Sequence, residues 1–224
     1  MIDNRSTSFL QRSRDSSRQA ERRALAEWVA KNLISQGARL FVVSGTTAKE
    51  TAEMILRQVR DVHIQTNSVP VTGMFMQLVE EGLAAPYATV SIIGGEVRPE
   101  TGAVAGKVEP DAAATLLFSP HGVTEKGLVG NRDVDQIKPL VGMFRRVIMP
   151  VSWLKLGAPG THSIKHFGHW KQVRCHMVVT DTPHVDLGLS EDAVARGNSL
   201  LKSVQDAMGE RLTISRIPWP EADG

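Results

Sequence analysis

The chain of 224 residues is 42% hydrophobic and 22% charged, a balance that fits a soluble globular protein with a substantial core. Its 26 Lys and Arg against 24 Asp and Glu leave a formal charge of +2, which argues against wrapping nucleic acid by bulk charge and requires any anion site to be local. The single cysteine, Cys175, excludes an intrachain disulfide and a cysteine-based zinc site, no stretch reaches the roughly 20 apolar residues that span a bilayer, and the N-terminus lacks a secretory apolar region, so a cytoplasmic location is expected.

In chain order, residues 1–20 are polar, with Arg5, Arg12, Arg14 and Arg18 among serines, and read as a mobile tail. Residues 21–224 read as one α/β domain. From Glu21, "ERRALAEWVAKNLISQG" places Leu25, Trp28, Val29 and Ile34 on one helical face and ends at Gly37, where a C-terminal glycine belongs. Apolar runs then alternate with helix-period segments. "ARLFVVSG", "VHIQTNS", "ATVSIIGG", "ATLLFSP", "RRVIMPVS" and "CHMVVTD" read as strands, and Ala48–Val59, Val69–Glu81 and Val134–Arg145 as helices. A last helix starts at Ser190 with two acids in its first turn, and the strand "RLTISRI" follows. Continuous apolar strands imply burial on both faces, so the expected fold is a Rossmann-like, mostly parallel sheet covered by helices on both sides.

Ligands of such sheets sit outside the carboxyl ends of the strands, so the turns there are the candidate site. They read "SGTT" (44–47), "TNS" (66–68), "GGEVRPETG" (94–102), "HGVTEKGLVGNRD" (121–133) and "SWLKLG" (152–157), a collection of hydroxyls, amides, glycines and basic side chains suited to a phosphorylated, polyhydroxylated molecule. Ser44, Gly45, Thr46 and Thr47 stand between a strand and a helix, where they can cap the helix, bind an anion at its free N–H groups, or do both.

The succession of SGTT, TNS, GGEVRPETGAVAG and a strand leading to Lys155 resembles the sugar-phosphate sensor domain of DeoR-type transcriptional regulators, from about Glu21 to about Pro183. The resemblance implies a fold shared with ribose-phosphate isomerases and coenzyme A transferases. It assigns Ser44, Gly45, Thr46 and Thr47 to a phosphate loop and Thr66, Asn67 and Ser68 to its neighbouring edge. Gly94 and Gly95 would admit the ligand close to backbone, and Lys155, where the family's "DSSK" ends, would contact phosphate or sugar. Arg98 is a further candidate contact. The family's usual N-terminal winged helix-turn-helix has no room before Glu21. Ser152 stands at the acid of "DSSK" and Thr124 at the acid of "GASGID".

The implied ligand is a phosphorylated sugar or similar small anion, bound by a stand-alone sensor domain without direct sequence-specific DNA binding or membrane association. Its output would pass through a homo-oligomer or a regulatory protein partner. Neither a cofactor nor a metal is expected. A sugar-phosphate isomerase on the same fold is the alternative, with Asp133, Asp135, Glu96, Glu100 and Glu125 as acids by location only and no paired-acid motif among them. Lys138 reads as a solvated helix lysine. His162, His166, His169 and His176 lie among glycines and a proline that disfavour a zinc-binding helix, so the segment reads as a loop, a flap or a subunit contact.

Overall fold

The computed structural model describes residues 19–109, 114–130, 134–158, 162–166, 174–180 and 189–218. The elements in order are α1 (Gln19–Leu33), β1 (Arg39–Val42), α2 (Thr46–Gln58), β2 (His63–Thr66), α3 (Val69–Glu80) and β3 (Thr89–Ile92). There follow β4 (Glu96–Arg98), β5 (Ala103–Ala105), β6 (Thr115–Leu117), β7 (Gly122–Thr124), β8 (Gly127–Gly130), α4 (Val134–Met143) and β9 (Arg146–Pro150). A 3-10 turn (Trp153–Lys155), β10 (His162–His166), β11 (Arg174–Thr180), α5 (Glu191–Met208) and β12 (Leu212–Ile217) complete the described chain.

Seven strands form one sheet in the order β12-β11-β9-β6-β1-β2-β3, and every pairing in it is parallel. The central strands are buried on both faces because each face has its own core. Leu40, Val42, Ile64, Leu117 and Ile148 pack under Leu25 and Val29 of α1, Ala52 and Ile55 of α2 and Val71 of α3. Phe41, Leu116, Val147, Met149 and Met177 pack on the other side against Leu140 and Val141 of α4 and Leu201 and Val204 of α5. A Rossmann-like α/β fold with helices on both faces is the result. No described helix is long and apolar enough to cross a membrane.

Four expectations are corrected. Helix α1 opens at Gln19, inside the span read as tail, and closes at Leu33 rather than at Gly37. The Arg146 guanidinium takes the Leu33 carbonyl at 3.1 Å, and Gly37, at φ 75°, turns the chain into β1 instead of capping the helix. Strand β3 is not buried on both faces, since it is the sheet's edge and Thr89, Ser91 and Ile92 are exposed. Two segments read as turns contain hairpins, β4–β5 within residues 94–105 and β7–β8 within 121–130. Finally, residues 162–166 are not a loop but a strand, antiparallel to β8 with His162 opposite Gly130 and His166 opposite Gly127. His169 and Asp133 lie outside the described residues.

Candidate functional site

Because the sheet is parallel, the segments that leave β9, β6, β1, β2 and β3 all emerge along one edge. Chain order reverses between β1 and β6, the kind of switch point at which open sheets bind ligands. Four of the five segments carry residues singled out from sequence.

The SGTT, TNS and GGEVRPETG segments are hydrogen-bonded into one unit. The Ser44 amide donates to Asn67 Oδ1 at 2.8 Å and its hydroxyl to the Thr101 carbonyl at 3.0 Å. Val104 N donates to the Asn67 carbonyl at 2.6 Å, and Val69 N to the Gly102 carbonyl at 2.9 Å. Thr66 is spent as a brace: its hydroxyl donates to Val42 O at 2.6 Å and accepts from Ser68 N at 3.0 Å. Ser68 is fully buried, and its Oγ has no partner among the described residues. The hairpin bearing Arg98 closes through the Arg98 carbonyl, which accepts from Gly102 N at 2.8 Å. Gly95 serves this hairpin, since a Cβ there, at φ 148°, would run into the Ala105 carbonyl; Gly94 has open space around it.

Helix α2 starts at Thr46 with Gly45 as N-cap and no side-chain cap. The hydroxyls of SGTT therefore do not cap it. Ser44 is turned to Thr101, and Thr47 Oγ1 accepts from Lys155 Nζ at 3.5 Å. By helix geometry the first-turn amides have no intrahelical acceptor, and they carry the positive end of the helix dipole. Lys155 reaches this point from the 3-10 turn after β9 and donates to Ser119 Oγ at 2.6 Å. Ser119, after β6, in turn donates to the Pro150 carbonyl at 2.6 Å. The hydroxyl protons of Ser44 and Ser119 are thus given to carbonyls. The Lys155 ammonium, the Thr47 hydroxyl and a helix N-terminus without a side-chain cap are left facing the same edge, a donor set that matches a phosphate oxyanion.

Two buried ionisable residues on α1 hold this constellation from behind. Glu21 is 0% exposed, and its carboxylate accepts from Trp153 N at 2.7 Å, from Thr180 Oγ1 at 3.2 Å and from the Ser152 hydroxyl. The first and last of these fasten the start of the turn that carries Lys155. An acid at 152, as in the resembling pattern, would set a second carboxylate against Glu21, and two such groups cannot both stay ionised at that distance. Position 152 is therefore part of the support. Thr124, at the other acid position, donates to Gly127 O at 2.9 Å inside the β7–β8 turn.

The neighbouring Arg22 donates through Nε to Glu50 Oε1 of α2 at 2.8 Å, one turn beyond Thr46 and Thr47. The pair is one-pronged, with Arg22 Nη2 and Glu50 Oε2 buried and unpartnered among the described residues. Burial pushes the Glu50 carboxyl above its ordinary value, and Arg22 pulls it partly back. Between 4.5 and the raised folded value, the native state holds a proton that the unfolded state has released, so stability falls as pH rises through that window. Glu50→Gln is expected to flatten this slope in urea denaturation series from roughly pH 4 to pH 7; an unchanged slope would place its origin elsewhere.

Sequence reading missed Ser119, Glu21 and Arg22. Ser119 has no local signature. Glu21 had one, because it stands four residues before Leu25 and eight before Val29, in line with the buried face of α1. Lys138 is exposed on α4, and Glu96 and Glu100 are exposed on the β4–β5 hairpin.

A family model described as the DeoR C terminal sensor domain matches residues 17–182. No curated protein matches the chain. Among solved structures it is similar to ribose 5-phosphate isomerase from Plasmodium falciparum, with 13% identity and a TM-score of 0.41 over 60% of this chain and 52% of that one. Ribose 5 phosphate isomerase A from Neisseria gonorrhoeae gives 10% and 0.42 over 60% and 52%. The protein eIF2B beta from Chaetomium thermophilum gives 12% and 0.42 over 63% and 40%. The chain thus spans about half the length of the solved structures it matches.

Proposed function

The chain belongs to the family of DeoR C-terminal sensor domains, and on that premise we propose that it binds a phosphorylated sugar at the carboxyl edge of its sheet and acts as a regulatory sensor. The observation that carries the reading is Lys155, held by Ser119 and Thr47 beside the uncapped N-terminus of α2. In this reading the phosphate sits between the α2 amides and Lys155, and the sugar extends toward the Asn67 and Gly94 side of the edge. The regulatory output passes through a second copy or a protein partner. The exposed apolar side chains of Met76 and Val79 on α3, of Leu83 just after it, and of Ile92 on edge strand β3 offer a surface for that contact.

A ligand that binds only the folded state stabilises it by about 2.7 kcal/mol at one hundred times its Kd. For a chain of this size that corresponds to a rise in Tm of about 5–10 °C. A thermal-shift panel of ribose 5-phosphate and other phosphosugars is expected to contain at least one such response, lost in the Thr46→Ala/Thr47→Ala double variant. Silence across the panel, or an equal response in the double variant, would remove the reading.

A further inference from the structure

At the opposite, amino edge of the sheet, Arg174 of β11 and Arg146 of β9 stand in register on adjacent parallel strands. Arg145 immediately precedes β9, and its carbonyl accepts from Arg174 N at 2.8 Å. Neighbouring strands are about 4.8 Å apart, so three guanidinium-bearing residues start within a patch two strands wide. With Cys175, His176 and Thr213 they line a cavity of about 550 Å³, within the range of small-molecule sites.

Part of this charge has a structural explanation. Helix C-termini point to this edge, and arginines answer their free carbonyls: Arg146 Nη2 donates to Leu33 O at 3.1 Å, and Arg211 Nε to Met208 O at 3.0 Å. Arg145 and Arg174 are exposed, and among the described residues neither meets such a carbonyl and no carboxylate pairs with Arg145, Arg146 or Arg174. Like charges side by side on neighbouring strands destabilise a sheet. An anion in the cavity would relieve that repulsion, and guanidinium groups match phosphate oxygens two at a time. His176 lies in the same field. Burial first, and then Arg146, lower its pKa, so its imidazole is neutral near pH 7 and bonds through Nε2 to Ser215 Oγ at 2.8 Å.

We propose that Arg145, Arg146 and Arg174 form a second anion site, for a compact oligophosphate such as a di- or triphosphate group, at the end of the sheet away from Lys155. The width of the patch sets the ligand class. On one side Arg211, which precedes β12 level with Arg174, gives its Nε to the Met208 carbonyl and its Nη2 to the Ala207 carbonyl. On the other the next strand, β6, begins with Thr115, so the patch is bounded on both sides and is not the long basic stripe that tracks a nucleic-acid backbone.

The test is calorimetric titration of the full chain with sodium tripolyphosphate, paired with the His176 imidazole proton resonances. Binding is expected to weaken at least about 10-fold for each guanidinium removed in Arg145→Gln and Arg174→Gln, both exposed positions that leave the core intact. The His176 resonances should move on titration of the wild type and stay still in the double variant. Equal affinity in the double variant, resonances that ignore tripolyphosphate, or tighter binding of a short DNA duplex than of tripolyphosphate would each overturn the proposal. The last of these would make the patch a nucleic-acid surface.

Discussion

Lys155→Met is expected to weaken phosphosugar binding by about 10- to 100-fold while leaving the unliganded fold intact. The magnitude follows from the interaction removed, since a hydrogen bond to a charged group contributes about 1.5–3 kcal/mol. Lys155 is half-buried, and the two hydroxyls it meets, Ser119 Oγ and Thr47 Oγ1, belong to different segments. It bridges them, so its ammonium is held beside the start of α2. Methionine keeps the length of the stem and its packing but not the charge. The affinity lost should also be the salt-sensitive part, so the variant's residual binding should respond less to ionic strength. Titration of ribose 5-phosphate, or of whichever phosphosugar stabilises the wild type, decides the matter: a Kd within twofold of wild type would take Lys155 out of the site.

Glu21→Ala is expected to be the most damaging single substitution in the support, destabilising the chain by about 3–5 kcal/mol. It deletes a fully buried carboxylate and leaves the Trp153 amide and the Ser152 and Thr180 hydroxyls without an acceptor. For a chain of this length that loss lowers Tm by about 6–20 °C. Glu21→Gln keeps one carbonyl oxygen in place and should lose much less, which separates the cost of orphaned donors from that of the missing side-chain volume. Since Glu21 fastens the start of the Trp153–Lys155 turn, the alanine variant should also bind phosphosugars more weakly at temperatures where it is still folded. A melting temperature within about 2 °C of wild type would show that water replaces the carboxylate.

Legibility from sequence followed the range of the physics. SGTT, TNS and GGEVRPETG were readable because strand-to-turn transitions are local: hydroxyls, amides and glycines mark them within a few residues. Their purpose was read less well. Thr66, grouped with the ligand contacts, has its hydroxyl taken up in bracing the loop, and Gly95 lets its own hairpin close. The sequence marks Ser152 only as standing where the resembling pattern has an acid, because the partner that explains it, Glu21, lies 131 positions away. In the same way, Ser119 acquires meaning only through Lys155.

By itself the sequence determined the strand and helix periods, the burial of the central strands, the family, and the sheet edge on which the glycine- and hydroxyl-rich turns emerge. These rest on side-chain periodicity and turn chemistry, which act over a few residues. Only the tertiary structure decided that α2 is left without a side-chain cap, that Lys155 is shared between Ser119 and Thr47, and that adjacent residues on α1 secure both halves of the edge. It also brought the arginines of two strands into register at the opposite end. Each of those is a pairing between residues distant in the chain, set by strand order and register, and neither quantity is written in any local window of sequence.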